Sequence, residues 1–433
     1  MLRRKQFSVN VLTNAGGNAV NSALQLLLLL LLARLLPTPV FAAFVTARTI
    51  VALGETASDY GARLWAVREF TTSENPRQIL LRSVLCKLFY TACAMAVLAC
   101  LPLNSLTPAD FVLSTLVAIT QPGTDPLLWY LRGRDRLDIE AVLVLFNRVL
   151  IFAALGLAAW LEAGVSTLLL VWLALNLVRL LSEAVAPVMQ PLFARGAIDK
   201  PSATDLIRTL VDVFPIGTSL FLTTLFYRAG ILLLDVFGTP EDVAVFGTGF
   251  QLVTAAGFVG TSVCVASFSP LVQAVQSQDP DAVRSIISRT LVLTTLIFVP
   301  LCFLGIWISV PVADRFLPDR FSGTGETMVL LMPGLYLSCI NMGLRFTLTA
   351  FALNWQDVLI VLLGIASLTA FTLFYGADSW PFVAAVGWVL GEAVVLISRM
   401  SLLLHYHRQA GIPLRLIAST TVLLTVAVRQ LFW

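Results

Sequence analysis

The sequence predicts an all-α polytopic membrane protein with about twelve transmembrane helices, or thirteen if one weaker segment also spans. Three observations predict this fold class. Hydrophobic residues make up 58% of the 433-residue chain and charged residues only 12%, and the mean hydropathy is +0.88, which excludes an ordinary soluble domain. Apolar stretches long enough to cross a bilayer recur almost from end to end. Lys and Arg concentrate in every second connection between these stretches.

The predicted spans follow from the length and hydropathy of each stretch. The first stretch is preceded by Arg3, Arg4 and Lys5, as a secretory signal would be, but it is too long and too polar along one side. We therefore expect an uncleaved first span. The twelve predicted ranges are 9–36, 41–67, 79–102, 109–131, 139–160, 164–187, 206–235, 243–270, 286–312, 328–350, 355–376 and 380–404, with 413–432 as the weaker thirteenth candidate.

The basic residues of the connections predict the orientation, with the amino terminus in the cytoplasm. The connections on that side are basic, whereas four of the opposite connections contain no Lys or Arg. The opposite connection at 313–327 carries Arg315 and Arg320, but acidic residues accompany them. The basic residues expected in the cytoplasm are Arg68, Arg77, Arg132, Arg134, Arg136, Arg195, Lys200, Arg284 and Arg408.

The longest cytoplasmic connection divides the chain near its middle and contains Pro191, Gly196 and Pro201. It predicts an N-terminal lobe of six helices, a linker, a C-terminal lobe of six helices, and a tail made of a basic loop and the thirteenth candidate. Because six is even, both lobes would enter the membrane with the same polarity, as parallel repeats do. The predicted boundaries are 1–187, 188–205, 206–404 and 405–433.

The second span carries four charges, Arg48, Glu55, Asp59 and Arg63, that fall on one side of a continuous helix. A charge at the centre of a membrane helix costs about 2.5–3.5 kcal/mol, and each large aliphatic residue returns only about 0.3–0.6 kcal/mol. The apolar residues of this span cannot offset even two central charges. The charged stripe is therefore expected to face protein or a water-filled cavity.

The first span has a stripe of amide residues that supports the same interpretation. Its members share one helical face and leave the run Leu24–Leu32 for lipid. Two neighbouring polar faces predict a hydrated cavity shared by both helices, with the seventh and eighth spans opposite. The alternative is that these groups only join helices through hydrogen bonds and ion pairs. The amide residues are Asn10, Asn14, Asn18, Asn21 and Gln25.

The second half of the chain also carries charge within its spans. The seventh span contains Asp212, Arg228 and Asp235, and Pro215 predicts a kink there. In the tenth span, Asn341 and Arg345 are four residues apart and share a helical face.

Several signatures of catalysis are absent from the sequence. There is no glycine-rich phosphate loop followed by Lys and Ser or Thr. His405 and His407 adjoin Arg408 in a basic connection, and the six cysteines lack metal-ligand spacing. The pairs Asp59/Arg63 and Arg228/Asp235 offer acid–base groups, but no large extramembrane face would hold a substrate for them. We therefore expect no enzyme activity, no cofactor and no metal.

Two segments resemble motifs of a known family. Residues 33–42 read ARLLPTPVFA, which is similar to the R-L-L-G-P-x-x-F-G turn of bacterial polysaccharide (O-antigen type) flippases. Residues 59–61 and 67–69 resemble that family's ending of the second span. Pro37 and Ala42 stand where the family has glycine. These flippases belong to the multidrug/oligosaccharidyl-lipid/polysaccharide exporter superfamily.

The resemblance implies two six-helix lobes around a central cavity that opens alternately to either side. It implies a polyprenyl-diphosphate-linked oligosaccharide as substrate, moved from the inner to the outer leaflet of a bacterial inner membrane for polysaccharide or lipopolysaccharide assembly. Its partners would be this lipid, the bilayer and other polysaccharide assembly proteins, and no nucleic acid. An inside-negative potential favours outward movement of negative charge by about 2.3 kcal/mol per charge per 100 mV.

Residue chemistry suggests candidate roles for this cargo. Guanidinium groups suit phosphate oxygens, and the candidates for the diphosphate are Arg48, Arg63, Arg228 and Arg345. Amides and hydroxyls suit sugars, and the candidates are Asn14, Asn18, Asn21 and Gln25, with Thr248, Gln251 and Thr254 of the eighth span. The carboxylates suited to ion coupling are Glu55, Asp59 and Asp235.

Two other functions stay open at this point. A multidrug or cation-coupled antiporter of the same superfamily would be expected to have a net acidic cavity, whereas the residues above suggest a mixed to basic one. A polytopic membrane enzyme of glycan assembly would be distinguished by turnover of the purified protein.

Overall fold

The computed structural model describes most of the chain. The described residues are 20, 23–62, 66, 69–70, 76–133, 137–185, 202–376, 379–406, 417, 420–423, 425–426 and 428. Asn14, Asn18, Asn21 and Arg63 lie outside them, as does most of the thirteenth candidate span. Within this part of the chain every regular element is helical.

The helices are numbered here in chain order. The first half contains α1 (Ala23–Leu35), α2 (Thr38–Asp59), α3 (Pro76–Leu98), α4 (Pro108–Gly133), α5 (Leu137–Trp160) and α6 (Val165–Val185). The second half contains α7 (Ala203–Phe237), α8 (Pro240–Ala255), α9 (Phe258–Gln276), α10 (Pro280–Phe316), α11 (Thr324–Ala350), α12 (Asn354–Tyr375) and α13 (Trp380–Tyr406), with a short 3-10 turn, Asp319–Phe321, before α11.

The predicted spans correspond to these helices. In the described part of the chain, ten helical segments are long and apolar enough to cross a membrane, and Ala23–Leu35 is a shorter apolar helix. The predicted fourth span corresponds to α4, which has 26 residues. A helix satisfies its own backbone hydrogen bonds, so hydropathy alone is a strong guide to such elements. The prediction of an all-α polytopic membrane protein is confirmed.

Two predicted spans differ from the structure in their continuity. The prediction of one continuous helix from 41 to 67 for the second span is wrong, because α2 ends at Asp59. Tyr60 and Gly61 follow with φ angles of 33° and 76°, and glycine adopts such positive values without steric cost. The helix that carries the charged stripe therefore ends at Asp59, and Arg63 lies outside the described residues. The eighth span is likewise divided at Ala256 and Gly257 into α8 and α9.

The chain forms two compact units, Met1–Thr224 and Leu225–Trp433, whose boundary lies within α7. Among the candidate spans, α2 and the segment containing α11 are the most buried, at 72% and 89%, against at most 44% for any other. They are therefore the core helices of the first and second unit. The lobe and linker boundaries drawn from the sequence remain predictions.

Side chains fix the ends of several helices. Thr239 and Asp242 form a reciprocal capping box at the start of α8. Asp279 accepts hydrogen bonds from two backbone N–H groups at the start of α10. At the start of α4, the buried Asp110 accepts hydrogen bonds from the hydroxyls of Thr107 and Ser166, both at 2.6 Å. Asp110 therefore also joins α4 to α6 in the first unit.

Candidate functional site

A cavity of about 350 Å³ lies inside the first unit, between α2, α4, α5, α6 and the first half of α7. Most of its lining is charged or polar, which is unusual among helices of this hydropathy. The charged lining residues are Glu55, Asp59, Asp125, Glu140, Arg148 and Arg179, and Asn147 lies with them. Its apolar lining includes Leu128, Trp129, Val144 and Leu220.

Helical periodicity explains how the lining residues converge. On α5, Glu140, Val144, Asn147 and Arg148 follow the four- and three-residue spacing of one face, and all four line the cavity. The opposite face of α5 exposes apolar side chains: Val142, Phe146 and Val149. The helix therefore turns charge inward and hydrocarbon outward, as a charged membrane helix must.

Lys87 of α3 lies behind the cavity wall. Its side chain is fully buried, and Nζ lies 2.9 Å from Oδ2 of Asp125 on α4. The same ammonium lies 4.4 Å from the ring centroid of Trp129, one turn further along α4. The ion pair and the cation–π contact together balance the buried charge and hold α3 against α4.

Arg179 of α6 is held by a neighbouring carboxylate. Its Nε donates to Oε1 of Glu183 at 2.8 Å, one turn along the same helix, and the Glu183 side chain is buried. Nearby on α6, Nδ2 of Asn176 donates to Oγ1 of Thr120 at 2.9 Å. These bonds fix the rotation of α6 relative to α4, and with it the guanidinium at the cavity wall.

Arg148 connects this cavity to a second, smaller one. The smaller cavity, about 40 Å³, is bordered by α1, α2, α5 and α6, and Arg148 lines both. Arg48 and Gln25 line the smaller cavity, and Nη2 of Arg48 donates to Oε1 of Gln25 at 3.0 Å. Glu55 interacts electrostatically with both Arg148 and Arg48. The charges of α2 and α5 therefore form one continuous group.

The second unit contains a separate buried polar cluster. Nε of Arg399 donates to Oδ1 of Asp357 at 2.8 Å, and both side chains are buried. Nη1 of Arg399 donates to the carbonyl of Asn341 at 2.9 Å. Nδ2 of Asn341 donates in turn to Oε2 of Glu392 at 2.6 Å. Arg345 interacts electrostatically with Asp357 and Arg399. This cluster joins α11, α12 and α13.

The structure brings some of the predicted site residues together. Gln25 and Arg48 are in contact, and Glu55 and Asp59 line the larger cavity. Leu220 of α7, the predicted seventh span, also lines it.

The remaining predicted residues of the second half belong to the second unit. Arg228 and Arg345 are partly buried, while Asp235 and Gln251 are buried. The hydroxyl of Thr254 donates to the carbonyl of Phe250 within α8. The functional roles assigned to all these residues, including Asn14, Asn18, Asn21 and Arg63, remain predictions.

Sequence reasoning missed much of the cavity lining. Five charged residues at or beside the cavity lie inside predicted spans three to six and were not singled out: Lys87, Asp125, Glu140, Arg148 and Arg179. The signal was present, because the energetic cost that identified the stripe of the second span applies equally to these charges. Their mutual contacts could not be predicted, since pairs such as Lys87 and Asp125 depend on helix packing.

The groups that line the cavity suit the binding of a polar or charged ligand. Guanidinium groups donate in a planar fork that matches phosphate, while carboxylate and amide oxygens accept from hydroxyls. No group of three or more His, Cys, Asp or Glu residues in the described part of the chain is arranged to hold a metal ion.

The described helices correspond to a known class of membrane fold. Solved structures of transporters share this fold, one of them a multidrug resistance MATE family transporter of the MOP superfamily, which agrees with the fold that the sequence resemblance implied. A structure of the lipid II flippase MurJ in an inward closed conformation matches it with a TM-score of 0.71 and 10% sequence identity, covering 96% of this chain and 91% of that one.

Two multidrug transporters of the MATE family match the same fold. The eukaryotic transporter AtDTX14 has a TM-score of 0.62 and 12% identity, covering 95% of this chain and 98% of that one. An inward-facing MATE transporter has a TM-score of 0.57 and 16% identity, covering 90% and 94%. No protein-family model and no curated protein sequence matches the chain.

Proposed function

We propose that this protein is a flippase for a polyprenyl-diphosphate-linked oligosaccharide, which it moves from the inner to the outer leaflet of a bacterial inner membrane. The observation that carries the proposal is the set of three guanidinium groups, Arg48, Arg148 and Arg179, at two adjoining cavities of the first unit. Such a set, surrounded by oxygen acceptors, suits a head group that combines phosphate with sugar.

The diphosphate is assigned to these guanidinium groups. Arginine offers five N–H donors and retains its charge, so one donor can be held by the protein while others contact phosphate. Arg48 donates to Gln25, and Arg179 donates to Glu183. Arg228 and Arg345 of the second unit remain further candidates for contact with the diphosphate.

The sugars are assigned to the carboxylate and amide groups of the larger cavity and to Trp129. At the larger cavity, the Asp59 carboxylate can accept hydrogen bonds from hydroxyls, and the Asn147 amide can both accept and donate them. A volume of about 350 Å³ lies at the lower end of the range usual for small-molecule sites. The cavity is therefore expected to hold the first sugars of the glycan, with the remainder in contact with water.

Ion coupling is assigned to Glu55 and Asp59. Both lie one turn apart on α2 at the cavity, beside Arg148. A carboxylate that exchanges a proton or a cation there would change the charge offered to the diphosphate. Substrate binding and ion release would then be linked thermodynamically.

One observation favours a second candidate function. Four carboxylates but only two guanidinium groups line the larger cavity, which is more acidic than the sequence suggested. A cation-coupled antiporter for organic cations would use such acceptors. The fold alone does not separate the two functions, since both the lipid II flippase and the MATE transporters match it.

The deciding experiment is transport by the purified protein in vesicles. The lipid arm supplies a polyprenyl-diphosphate-linked N-acetylhexosamine and measures its exposure to a membrane-impermeant periodate reagent. The drug arm loads a fluorescent organic cation and measures its release under a proton or sodium gradient. We expect translocation of the lipid and no release of the cation, and lipid recovered from vesicles incubated without periodate should be chemically unchanged by mass spectrometry. The reverse result would establish the antiporter, and altered lipid would establish an enzyme.

A matched pair of variants controls this measurement. Arg148→Gln removes a cavity cation, whereas Phe146→Leu changes an exposed apolar residue on the opposite face of the same helix. Lipid translocation should fall in the first variant and stay at its original rate in the second. Equal rates in both variants would contradict the assignment of the diphosphate to this cavity.

A further inference from the structure

The end of α2 is tied to the first half of α7 by one aromatic side chain. The ring of Tyr60 stacks on that of Tyr90, with centroids 3.9 Å apart and planes at 15°. Its hydroxyl lies 2.8 Å from Oγ1 of Thr218 on α7. Tyr60 adopts a φ of 33° and Gly61 a φ of 76°, so the backbone turns sharply at the point where the ring meets α7.

The approach of the two helices at this point depends on Gly217. A Cβ atom on Gly217 would lie 2.0 Å from a ring carbon of Tyr60 and 2.5 Å from its carbonyl oxygen. Neither the rigid ring nor the backbone can move aside by that much without separating the helices. Any residue larger than glycine at position 217 therefore prevents this docking.

Two further contacts hold the same half of α7. The hydroxyl of Tyr90 donates to the carbonyl of Leu210 at 2.7 Å. Arg82 and Asp205 form an ion pair at 2.8 Å that is partly exposed to solvent. All these contacts come from α3 and the end of α2.

The rest of this half-helix is weakly anchored. In the described residues 203–224, the fully buried positions are Thr209, Val213, Gly217 and Ser219. The first three recur every four residues and form a narrow stripe. Val213 packs with Tyr60 and Tyr90 in a small apolar cluster. Pro215 lies between the ties at Leu210 and Thr218 and cannot donate to the carbonyl of Val211, which weakens the helix at that point. A segment with few buried contacts opens more readily than the core around it.

This half-helix is also a wall of the charged cavity. Leu220, two residues after Thr218, lines the cavity on α7, and Asp59, directly before Tyr60, lines it on α2. The contact between Tyr60 and Thr218 therefore lies at the edge of the cavity and joins two of its walls.

We propose that residues 203–224 form a movable wall of the cavity, and that Tyr60, docked on Gly217 and Thr218, is the latch that keeps this wall closed. Opening the cavity on this side requires the hydroxyl of Tyr60 to leave Thr218 and the ring to leave Gly217. The adjacent Asp59 gives a direct route by which a bound cargo or ion displaces the latch. The proposal concerns access to the cavity and holds whatever cargo the protein carries.

The first test measures access with a cysteine in the cavity wall. Thr56→Cys is introduced after the two exposed cysteines, Cys93 and Cys100, are replaced by alanine. The probe is a membrane-impermeant, charged methanethiosulfonate. In this background Tyr60→Phe or Thr218→Val, each of which removes the latch hydrogen bond, should raise the labelling rate roughly fivefold, the factor expected for one ordinary hydrogen bond. The double variant should gain no more than either single one, because both remove the same bond.

Matched variants control for general loosening. Gly217→Ala should raise the labelling rate further than Tyr60→Phe, whereas Gly164→Ala, where a Cβ would meet nothing within 4 Å, should leave it unchanged. Tyr375→Phe, at an exposed tyrosine of the second unit, should also have no effect. If Gly217→Ala fails to fold, the Tyr60 and Thr218 variants still decide the outcome. Unchanged labelling in both of those variants would overturn the latch.

The second test closes the latch covalently. Tyr60→Cys and Thr218→Cys are joined by a short, reducible bis-methanethiosulfonate. Cross-linking should reduce labelling from the cavity and stop transport, and a reductant should restore both. A cross-linked protein that transports at the original rate would exclude any need for this wall to move. Because labelling needs no cargo, the latch and the proposed flippase activity can fail independently.

Discussion

Nη2 of Arg48 donates a hydrogen bond to Oε1 of Gln25 at 3.0 Å, and this bond joins the polar faces of α1 and α2. The two residues belong to separate stripes in the sequence, one of amides and one of charges. Their contact shows that the stripes face each other where both are described. Arg48 also interacts electrostatically with Glu55, so two interpretations of this arginine compete: a ligand for phosphate, or a partner that neutralises Glu55.

The first prediction separates these two interpretations. If Arg48 binds the diphosphate, Arg48→Gln should lower the rate of lipid translocation roughly tenfold or more. This is the factor that corresponds to the free energy of one lost hydrogen bond to a charged group. Arg48→Lys should retain part of the activity, because the charge remains but the fork geometry is lost. Translocation of the polyprenyl-diphosphate-linked sugar in vesicles measures both.

The double variant Arg48→Gln/Glu55→Gln is the critical control. If Arg48 only neutralises Glu55, removing both charges should restore transport, since the cost lies in leaving one charge unpaired. Restored transport would therefore count against a binding role. Gln25→Ala removes the hydrogen-bond partner but keeps the guanidinium, and we expect it to reduce transport less than Arg48→Gln does.

The second prediction concerns the ion pair between Lys87 and Asp125. Lys87 is fully buried while Asp125 is partly exposed, so Asp125→Asn leaves a buried ammonium without its carboxylate. Breaking a buried pair in this way costs about 3 kcal/mol, and the apparent unfolding temperature of the detergent-solubilised protein should fall by several degrees. Lys87→Met/Asp125→Asn should recover most of that loss. A double variant less stable than Asp125→Asn would show that the pair is not a stabilising unit.

The sequence predicts the helices well and the site only in part, for physical reasons. Hydropathy identifies spans because each membrane helix closes its own hydrogen bonds and needs no partner to be recognised. The break after Asp59 was missed because a single glycine such as Gly61 is tolerated within a helix, and the contact of Tyr60 with Gly217 depends on tertiary packing. The cavity was missed because the pairing of Lys87 with Asp125 depends on the order and rotation of helices, which periodicity does not specify.

The third prediction concerns the buried cluster of the second unit. Arg399 and Asp357 form an ion pair with both side chains buried, and Arg399 also holds the carbonyl of Asn341. Arg399→Met should destabilise the protein by about 3–5 kcal/mol, because it removes the guanidinium that pairs with the buried Asp357 carboxylate. Arg399→Met/Asp357→Leu should be close to the original stability. Thermal unfolding followed by light scattering measures this, and equal losses in the single and double variants would contradict it.

The fourth prediction is topological and follows from the charge of the connections. Single cysteines near Asn104 and Glu162 should react with an impermeant maleimide added outside intact cells. Cysteines at Arg284 and within 195–200 should react only after permeabilisation. Tags within 132–136 should report the cytoplasm, and tags near Asp378 should report the opposite side. Reversal at any two of these positions would mean that the number of spans is wrong.

The last prediction concerns Arg148, the residue shared by the two cavities of the first unit. A ligand in either cavity can contact its guanidinium, whereas Arg48 borders only the smaller cavity and Arg179 only the larger. If the diphosphate passes from one cavity to the other, Arg148 acts at both stages. Arg148→Gln should then lower translocation more than Arg48→Gln or Arg179→Gln, each of which removes a charge-assisted contact at about a tenfold cost.

Translocation by Arg148→Lys shows whether position 148 requires only a positive charge or also the planar guanidinium fork. Lysine keeps the charge but offers no planar fork, so we expect it to keep binding of inorganic diphosphate, measured by calorimetry, while slowing translocation. Asn147→Asp, adjacent on α5 and also at the cavity, adds a negative charge and should weaken diphosphate binding by electrostatic repulsion. If Arg148→Gln binds diphosphate as tightly as the original protein, the ligand does not contact Arg148, and the role assigned to this residue at both cavities is wrong.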